Sequence, residues 1–521
     1  MLSRFHPRLW IWPALAACLL AVCTLRRISI GFWTDEAGTW WIIKDGLSNA
    51  IVRAEWWSAT SPLYYSLVWA WAQIFGFSEI SLRLPSLLFI LAAAGLLFRL
   101  ARYWLDDEGA WLAVVFFLMS RFVAFAATDA RPYALGLALL LAAWVSMLAW
   151  LESGRKSLGV VFVLCAAAAA WAHYTIALGL LPLAWYLPRL GWRRSCAVLL
   201  GGGLLLAPRV SQLAEVAGRR VQLSFANPPS AFDIIEVFLP AQVLLLAALG
   251  GLAVTFAFLR RRRDGLSFAP FQAFHTLAPW LLLIVLPPLA LLLLGHYGVQ
   301  MFHSRYMISR EVGIALLCAW LARGLTRLDL RAWTVWSAAI LATCFFVART
   351  SQTVDWRGAS RWAATQSSST IAVTSGFIES LAPAAVADPA RLDILFAPQR
   401  IYPLPGHPVW LPMRCNADAQ AILENQIFPA SRNSGSLLLI LAPASGDYLP
   451  WIENRLRRDG FLITQHRRFN SVSGWLFQRS TRPAALPTAS SSESAAKPAS
   501  PPPSPAPSSV RSSPASAAVR D

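Results

Sequence analysis

Two adjacent carboxylates, Asp35 and Glu36, stand in the stretch FWTDEAGTWW, a few residues beyond the first apolar run of the chain. Acids beside a lipid surface are costly to desolvate, so they face water or do chemistry. Side by side, two carboxylates repel, and partial burial adds to the repulsion; such a pair can supply a general base near neutral pH. A solvated loop pair is the plainer alternative. Further along, TDARPYALG brings Asp129, Arg131 and Tyr133 to the start of another apolar run. Pro132 suits the first turn of a helix, which leaves Asp129 just ahead of it, where a carboxylate suits the free amides. His173 in AWAHYT, and Arg305 with Tyr306 in FHSRYMIS, complete the set. A guanidinium matches the oxygens of a phosphate, so Arg305 is a candidate headgroup clamp, with snorkelling to the interface as its plainer role. Arg310, deeper in the same run, is placed to pair with Glu311 or an outer acid. No HExxH spacing, P-loop or GxGxxG accompanies these residues.

The elements that must position them are apolar. Of 521 residues, 56% are hydrophobic and 14% charged, where a soluble domain carries about 25% charged residues. Runs long enough for a membrane core recur from Leu9 to about Val347, which predicts a polytopic α-helical membrane protein. The net charge of +18 sits in clusters beside those runs, where it sets orientation; nucleic acid is not an expected partner. Six of the seven cysteines lie in apolar runs and no CxxC pair occurs, so neither a disulfide framework nor a zinc cluster is expected.

Orientation follows from Lys and Arg. The stretch PLYYSLVWAWAQIFGF, residues 62–77, is short for a span and rich in Trp and Tyr; laid along the interface, it leaves every later basic cluster inside. Residues 79–101 then run inward, 110–127 outward, 132–151 inward and 158–172 outward. Segments 175–188, 195–212, 236–259, 276–295, 305–322 and 332–348 continue the alternation, with RRRR at 260–263 inside. With an uncleaved first span, N-terminus inside, the total is about eleven. Asp35, Glu36, Asp129, Arg131, His173 and Arg305 all reach one outer face. Residues 1–350 form the membrane domain. Residues 351–480 mix β-like runs (371–377, 436–443) with amphipathic segments and predict a small α/β domain outside the cytoplasm. Residues 481–521, rich in Ser, Pro and Ala, predict a disordered tail.

In order along the chain, WTDEAGTWWI, SPLYYSLVWAWAQIFGFSEISLRLPSLL, DARPYALG, AHYT, SRYMIS and DWRGASRW resemble the GT-C integral-membrane glycosyltransferases of the family 39 type. These include protein O-mannosyltransferases and the lipid A aminoarabinose transferase. The resemblance covers most of residues 10–380. Ser61 departs from it, standing where relatives often have His or Pro. The resemblance implies a GT-C fold with an interfacial helix in the first outer loop and an active site on the outer face of the bacterial cytoplasmic membrane. It implies inverting transfer of a sugar from a polyprenyl-phosphate donor, with the loop acid, Asp35, as base and Glu36 beside it. It places Tyr64, Tyr65, Asp129, Arg131, Tyr133, His173, Arg305 and Tyr306 at the substrates. The acceptor, a lipid, a glycan or a protein, stays open, as does a divalent metal as cofactor. A transporter or flippase of lipid-linked substrates is the alternative.

Overall fold

The computed structural model describes residues 10–56, 62–212, 214, 229–259, 274–349, 354–381 and 389–480. The RRRR cluster, Ser61, the loop around Pro228 and the segment 481–521 lie outside the described residues. The first loop is built from short helices. α1 (Ile11–Arg27) ends at the loop Ile28–Trp33; α2 (Thr34–Ile43), α3 (Leu47–Trp56) and α4 (Pro62–Phe75) follow, and α5 (Glu79–Ala101) returns. Fourteen residues of α4 rise about 21 Å, short of a membrane crossing, in keeping with its expected place along the interface.

α5 occupies the span expected at 79–101. Ser78 caps it by accepting from the Ser81 amide at 3.3 Å. Pro85 lies inside it and has no N–H for the carbonyl four residues back; that carbonyl, on Ser81, instead accepts the Trp71 indole N–H at 3.0 Å. α8 (Tyr133–Ser153) ends at Gly154, whose φ of +67° gives the left-handed turn that stops a helix.

The eleven spans expected from the apolar runs do not all form single rods. Among the described residues, three helices are long and apolar enough to cross a membrane, or five if two bent pairs each count as one span. The run expected at 110–127 divides into α6 (Asp107–Met119) and α7 (Arg121–Ala127), which meet at 76°. Ser120 between them is extended and caps α7 by accepting from the Phe122 amide at 3.3 Å. The run at 236–259 likewise breaks at Pro240, a bend of 62°. The run at 175–188 is largely a 3₁₀ helix, Ile176–Tyr186. Composition reports that a stretch is apolar, and these breaks are set by single residues inside it.

The α/β part forms as expected. Its five strands are β1 (Ile371–Thr374), β2 (Val409–Leu411), β3 (Ser436–Leu441), β4 (Phe461–Phe469) and β5 (Val472–Arg479), in the order β2-β1-β3-β5-β4. β2, β1 and β3 are parallel, whereas β5 and β4 run antiparallel. This part does not stand apart: Phe32, Trp41, Tyr64 and Tyr65 of the first loop share one buried cluster with Trp356, Trp362, Phe377, Leu438 and Ile440. The α/β part and the loop bearing the two acids therefore have a common core.

Candidate active site

Asp35 and Glu36 both lie in the first turn of α2, where negative charge faces the free amides of the helix start. Neighbours on a helix diverge by about 100°, and that separates the two carboxylates. Glu36 turns inward and is fully buried. Arg83 grips it with two parallel hydrogen bonds, Nε to Oε1 at 2.7 Å and Nη2 to Oε2. The Ala130 amide donates to Oε1 at 3.0 Å and the Trp33 amide to Oε2 at 3.3 Å. Arg83 spends its remaining donors on the carbonyls of Arg27, Ile28, Ile30 and Gly31. With both oxygens occupied and no path to water, Glu36 is not placed to take a proton from a substrate. The two acids expected as a catalytic pair thus differ in setting: Glu36 is buried and held on both oxygens, whereas Asp35 is partly exposed.

Asp35 turns outward. One of its oxygens pairs with Arg305 Nη1 at 3.2 Å, and both side chains are about a quarter exposed, 25% and 24%. Arg305 belongs to the 3₁₀ turn Ser304–Met307 and also donates to the Tyr306 hydroxyl at 3.3 Å. The ring of His173, at the end of α9 (Lys156–Ala172), lies between Tyr133 and Tyr306, with centroids 4.8 and 5.7 Å away at shallow angles of 35° and 30°. Burial first, then the charges of Arg131 and Arg305, push the His173 imidazole down to about 3. It is neutral at neutral pH, and its Nδ1 already accepts the Thr175 amide at 3.3 Å. His173 is part of an aromatic wall.

Asp129 does not cap the helix that follows it. Pro132 occupies that N-cap with no side-chain bond, and the Asp129 carboxylate accepts the Trp33 indole N–H at 2.9 Å instead. Its second oxygen, Oδ2, is buried without a hydrogen-bond partner. Burial, then the nearby Glu36 charge, push this carboxyl up to about 7, with the Trp33 bond and Arg131 opposing. Arg131 Nη1 donates to the Tyr65 hydroxyl at 3.2 Å. Tyr64 and Tyr65 are fully buried and meet edge to face at 5.3 Å; Tyr65 reaches the cluster through Arg131, and Tyr64 presents no surface to a ligand.

The structure thus brings Asp35, Arg131, Tyr133, His173, Arg305 and Tyr306 together and sets Glu36, Tyr64 and Tyr65 behind them. Sequence reasoning missed Arg83 and Trp33. A lone Arg in the apolar run EISLRLPSLL was the available signal for Arg83; for an indole among many tryptophans there was none. No group of three His, Cys, Asp or Glu side chains able to hold a metal occurs among the described residues. A cavity of about 700 Å³ is lined by Phe122, Ile235, Leu239, Leu245 and Phe345, with Arg310 in its wall. Arg310 pairs with Glu311 at 3.3 Å, as the sequence suggested.

Comparison with known proteins bears on the fold. Residues 59–208 match the family model described as dolichyl-phosphate-mannose-protein mannosyltransferase. The crystal structure of ArnT from Cupriavidus metallidurans bound to undecaprenyl phosphate is similar, with a TM-score of 0.52 at 13% identity over 90% of this chain and 98% of that one. Its apo form gives 0.50 at 13% identity, over 90% of this chain and 97% of that one. No curated protein sequence matches. The fold is that of the GT-C integral-membrane glycosyltransferases. The segment matched by the family model runs from just before α4 to beyond α9.

Proposed function

We propose that this protein moves a sugar from a polyprenyl-phosphate carrier to an acceptor on the outer face of the cytoplasmic membrane, with inversion, and that Asp35 is its base. The observation that carries the reading is the Asp35–Arg305 pair at 3.2 Å, partly exposed beside an aromatic wall. A carboxylate held by a guanidinium is a base in reserve, because an incoming phosphate competes for the same donors. Binding of the carrier phosphate would draw Arg305 away from Asp35 and release the base only when donor is present.

In the reaction, a hydroxyl or amine of the acceptor gives its proton to Asp35 while its lone pair attacks the anomeric carbon. The bond from that carbon to the phosphate oxygen breaks, and polyprenyl phosphate leaves with the electron pair. Arg305, with Arg131 behind it, stabilises the charge that develops there, so no acid need protonate the leaving group. The aromatic wall of Tyr133, His173 and Tyr306 backs the place where the sugar would lie. The apolar cavity walled by Arg310 suits a hydrocarbon tail. The similar ArnT structure was solved bound to undecaprenyl phosphate, which supports a polyprenyl-phosphate carrier; sugar and acceptor follow from experiment.

The test is release of polyprenyl phosphate by purified protein in lipid vesicles, offered a panel of polyprenyl-phosphate sugars with a membrane extract as acceptor source. Release from one donor supports the transferase. Donor reaching the opposite leaflet intact, with no release, favours a flippase and overturns it.

A further inference from the structure

α2 has ten residues, too few to hold itself as a helix in isolation, so its neighbours decide where Asp35 sits. On the membrane side the anchor is Glu36 on Arg83. On the other side the hydrogen bonds that hold its entry come from the α/β part. The Phe32 amide, two residues ahead of the helix, donates to the Tyr402 hydroxyl at 2.8 Å. That hydroxyl donates in turn to Glu79 Oε1 at 2.8 Å, at the start of α5. Arg357 Nη2 reaches the same Glu79 oxygen at 2.7 Å and the Ser29 carbonyl at 3.1 Å. Trp356 donates its indole N–H to Thr34 Oγ1 at 3.2 Å, on the residue next to Asp35.

The surroundings leave this clamp no slack. A Cβ on Gly31 would lie 3.1 Å from Arg357 Cβ and 3.5 Å from the Tyr402 hydroxyl. One on Gly376, just past β1, would lie 3.0 Å from Thr34 Oγ1. Burial first, and the Glu79 carboxylate as well, hold the Tyr402 phenol above its ordinary range, so it keeps the proton it donates. One hydroxyl thereby ties three parts of the chain: the loop entering α2, the start of α5, and the outer domain.

We infer that Tyr402 is a positioning residue for Asp35: the outer α/β domain completes the active site by fixing the entry to α2 through Tyr402, Arg357 and Trp356. The inference rests on the reading of Asp35 as base, and it assigns the outer domain a part in turnover beside any contact with an acceptor. Tyr402 touches no substrate. It sets the register of the loop, and a base displaced by about 1 Å loses up to two orders of magnitude in rate.

The experiment uses the full-length protein in lipid, wild type against Tyr402→Phe, which removes one hydroxyl and keeps the ring. Turnover is expected to fall about tenfold at saturating donor, with KM for the donor unchanged within twofold and the thermal midpoint within about 1 °C. Glu79→Gln is expected to lower turnover too, and the double variant to lose little more than the worse single one, because one linkage is broken twice. Hydrogen exchange supplies a readout independent of activity: amides 31–36 are expected to exchange about tenfold faster in Tyr402→Phe, while those in the middle of α5 do not change. Unchanged turnover in an active protein, or a loss that tracks a fall in thermal midpoint, would overturn the inference. If the wild type releases no carrier, the transferase reading fails by itself, and unchanged exchange at 31–36 would separately sink the clamp.

Discussion

Replacing Arg83 by methionine keeps the length of the side chain and removes its charge. The Glu36 carboxylate then stays buried, with only the Ala130 and Trp33 amides as donors, and the carbonyls of Arg27, Ile28, Ile30 and Gly31 lose theirs. Breaking one side of a buried pair costs about 3–5 kcal/mol, because the remaining charge is uncompensated. Unfolding entropy is about 2.1 cal/mol/K per residue, so a unit of this size moves its midpoint about 1 °C per kcal/mol. The expected fall in Tm is therefore about 3–5 °C, measured by thermal unfolding in detergent. The charge argument has a sharper form. Glu36→Gln with Arg83→Met removes both ions of this pair, so the double variant should recover about 0.5–3 kcal/mol relative to the sum of the singles. A midpoint for Arg83→Met within 1 °C of wild type, or strict additivity of the two, would refute the assignment of Glu36 as an anchor.

Arg305→Gln removes the partner of Asp35 and the proposed phosphate clamp; kcat is expected to fall about 100-fold, with Arg305→Lys restoring only part because it lacks the two-pronged geometry. Initial rates of carrier release check this. Asp129, raised to about 7 by burial and by Glu36, binds its proton more tightly folded than unfolded. Its contribution to stability is full below about pH 4 and is lost as pH rises toward 7, at no more than about 1.4 kcal/mol per pH unit. Asp129→Asn keeps an acceptor for the Trp33 indole, so the variant should gain stability on wild type between pH 5 and 8; a constant difference in Tm across that range would contradict the argument. His173, held at about 3, should leave no inflection of its own in the rate between pH 5 and 8, and His173→Gln should lower the rate without moving the profile.

The parts of the site that could be read in the sequence were those whose chemistry stands out against lipid. An acidic pair after an apolar run, ARPY at a run's start and an Arg beside aromatic residues each break the apolar pattern, and the fold does gather Asp35, Arg131, Tyr133, His173, Arg305 and Tyr306. What could not be read was direction. Asp35 and Glu36 are identical in character, and only the 100° turn between them sends one to Arg305 and the other to Arg83. Asp129 looked like a helix cap because Pro132 follows it; a distant indole outcompetes the local amides. The span 79–101 was legible because α5 is long, capped by Ser78 and continuous through Pro85. The breaks at Ser120 and Pro240 were not, since an apolar run reads the same across a bend. In the α/β part, β1 and β3 showed as apolar runs because both are buried throughout. β4 was silent, being mostly exposed, and β2 has only three residues.

The measurement closest to the central claim is a single-turnover comparison of wild type, Asp35→Asn and Asp35→Glu in lipid, using the donor found in the panel. Binding of the donor is followed beside release of polyprenyl phosphate. The account predicts that Asp35→Asn binds donor at least as well as wild type, since Arg305 is no longer held by a carboxylate, and that its release rate falls by at least 100-fold, with partial recovery in Asp35→Glu. Near-wild-type release from Asp35→Asn would mean that the proton goes elsewhere and that Asp35 serves only to hold Arg305.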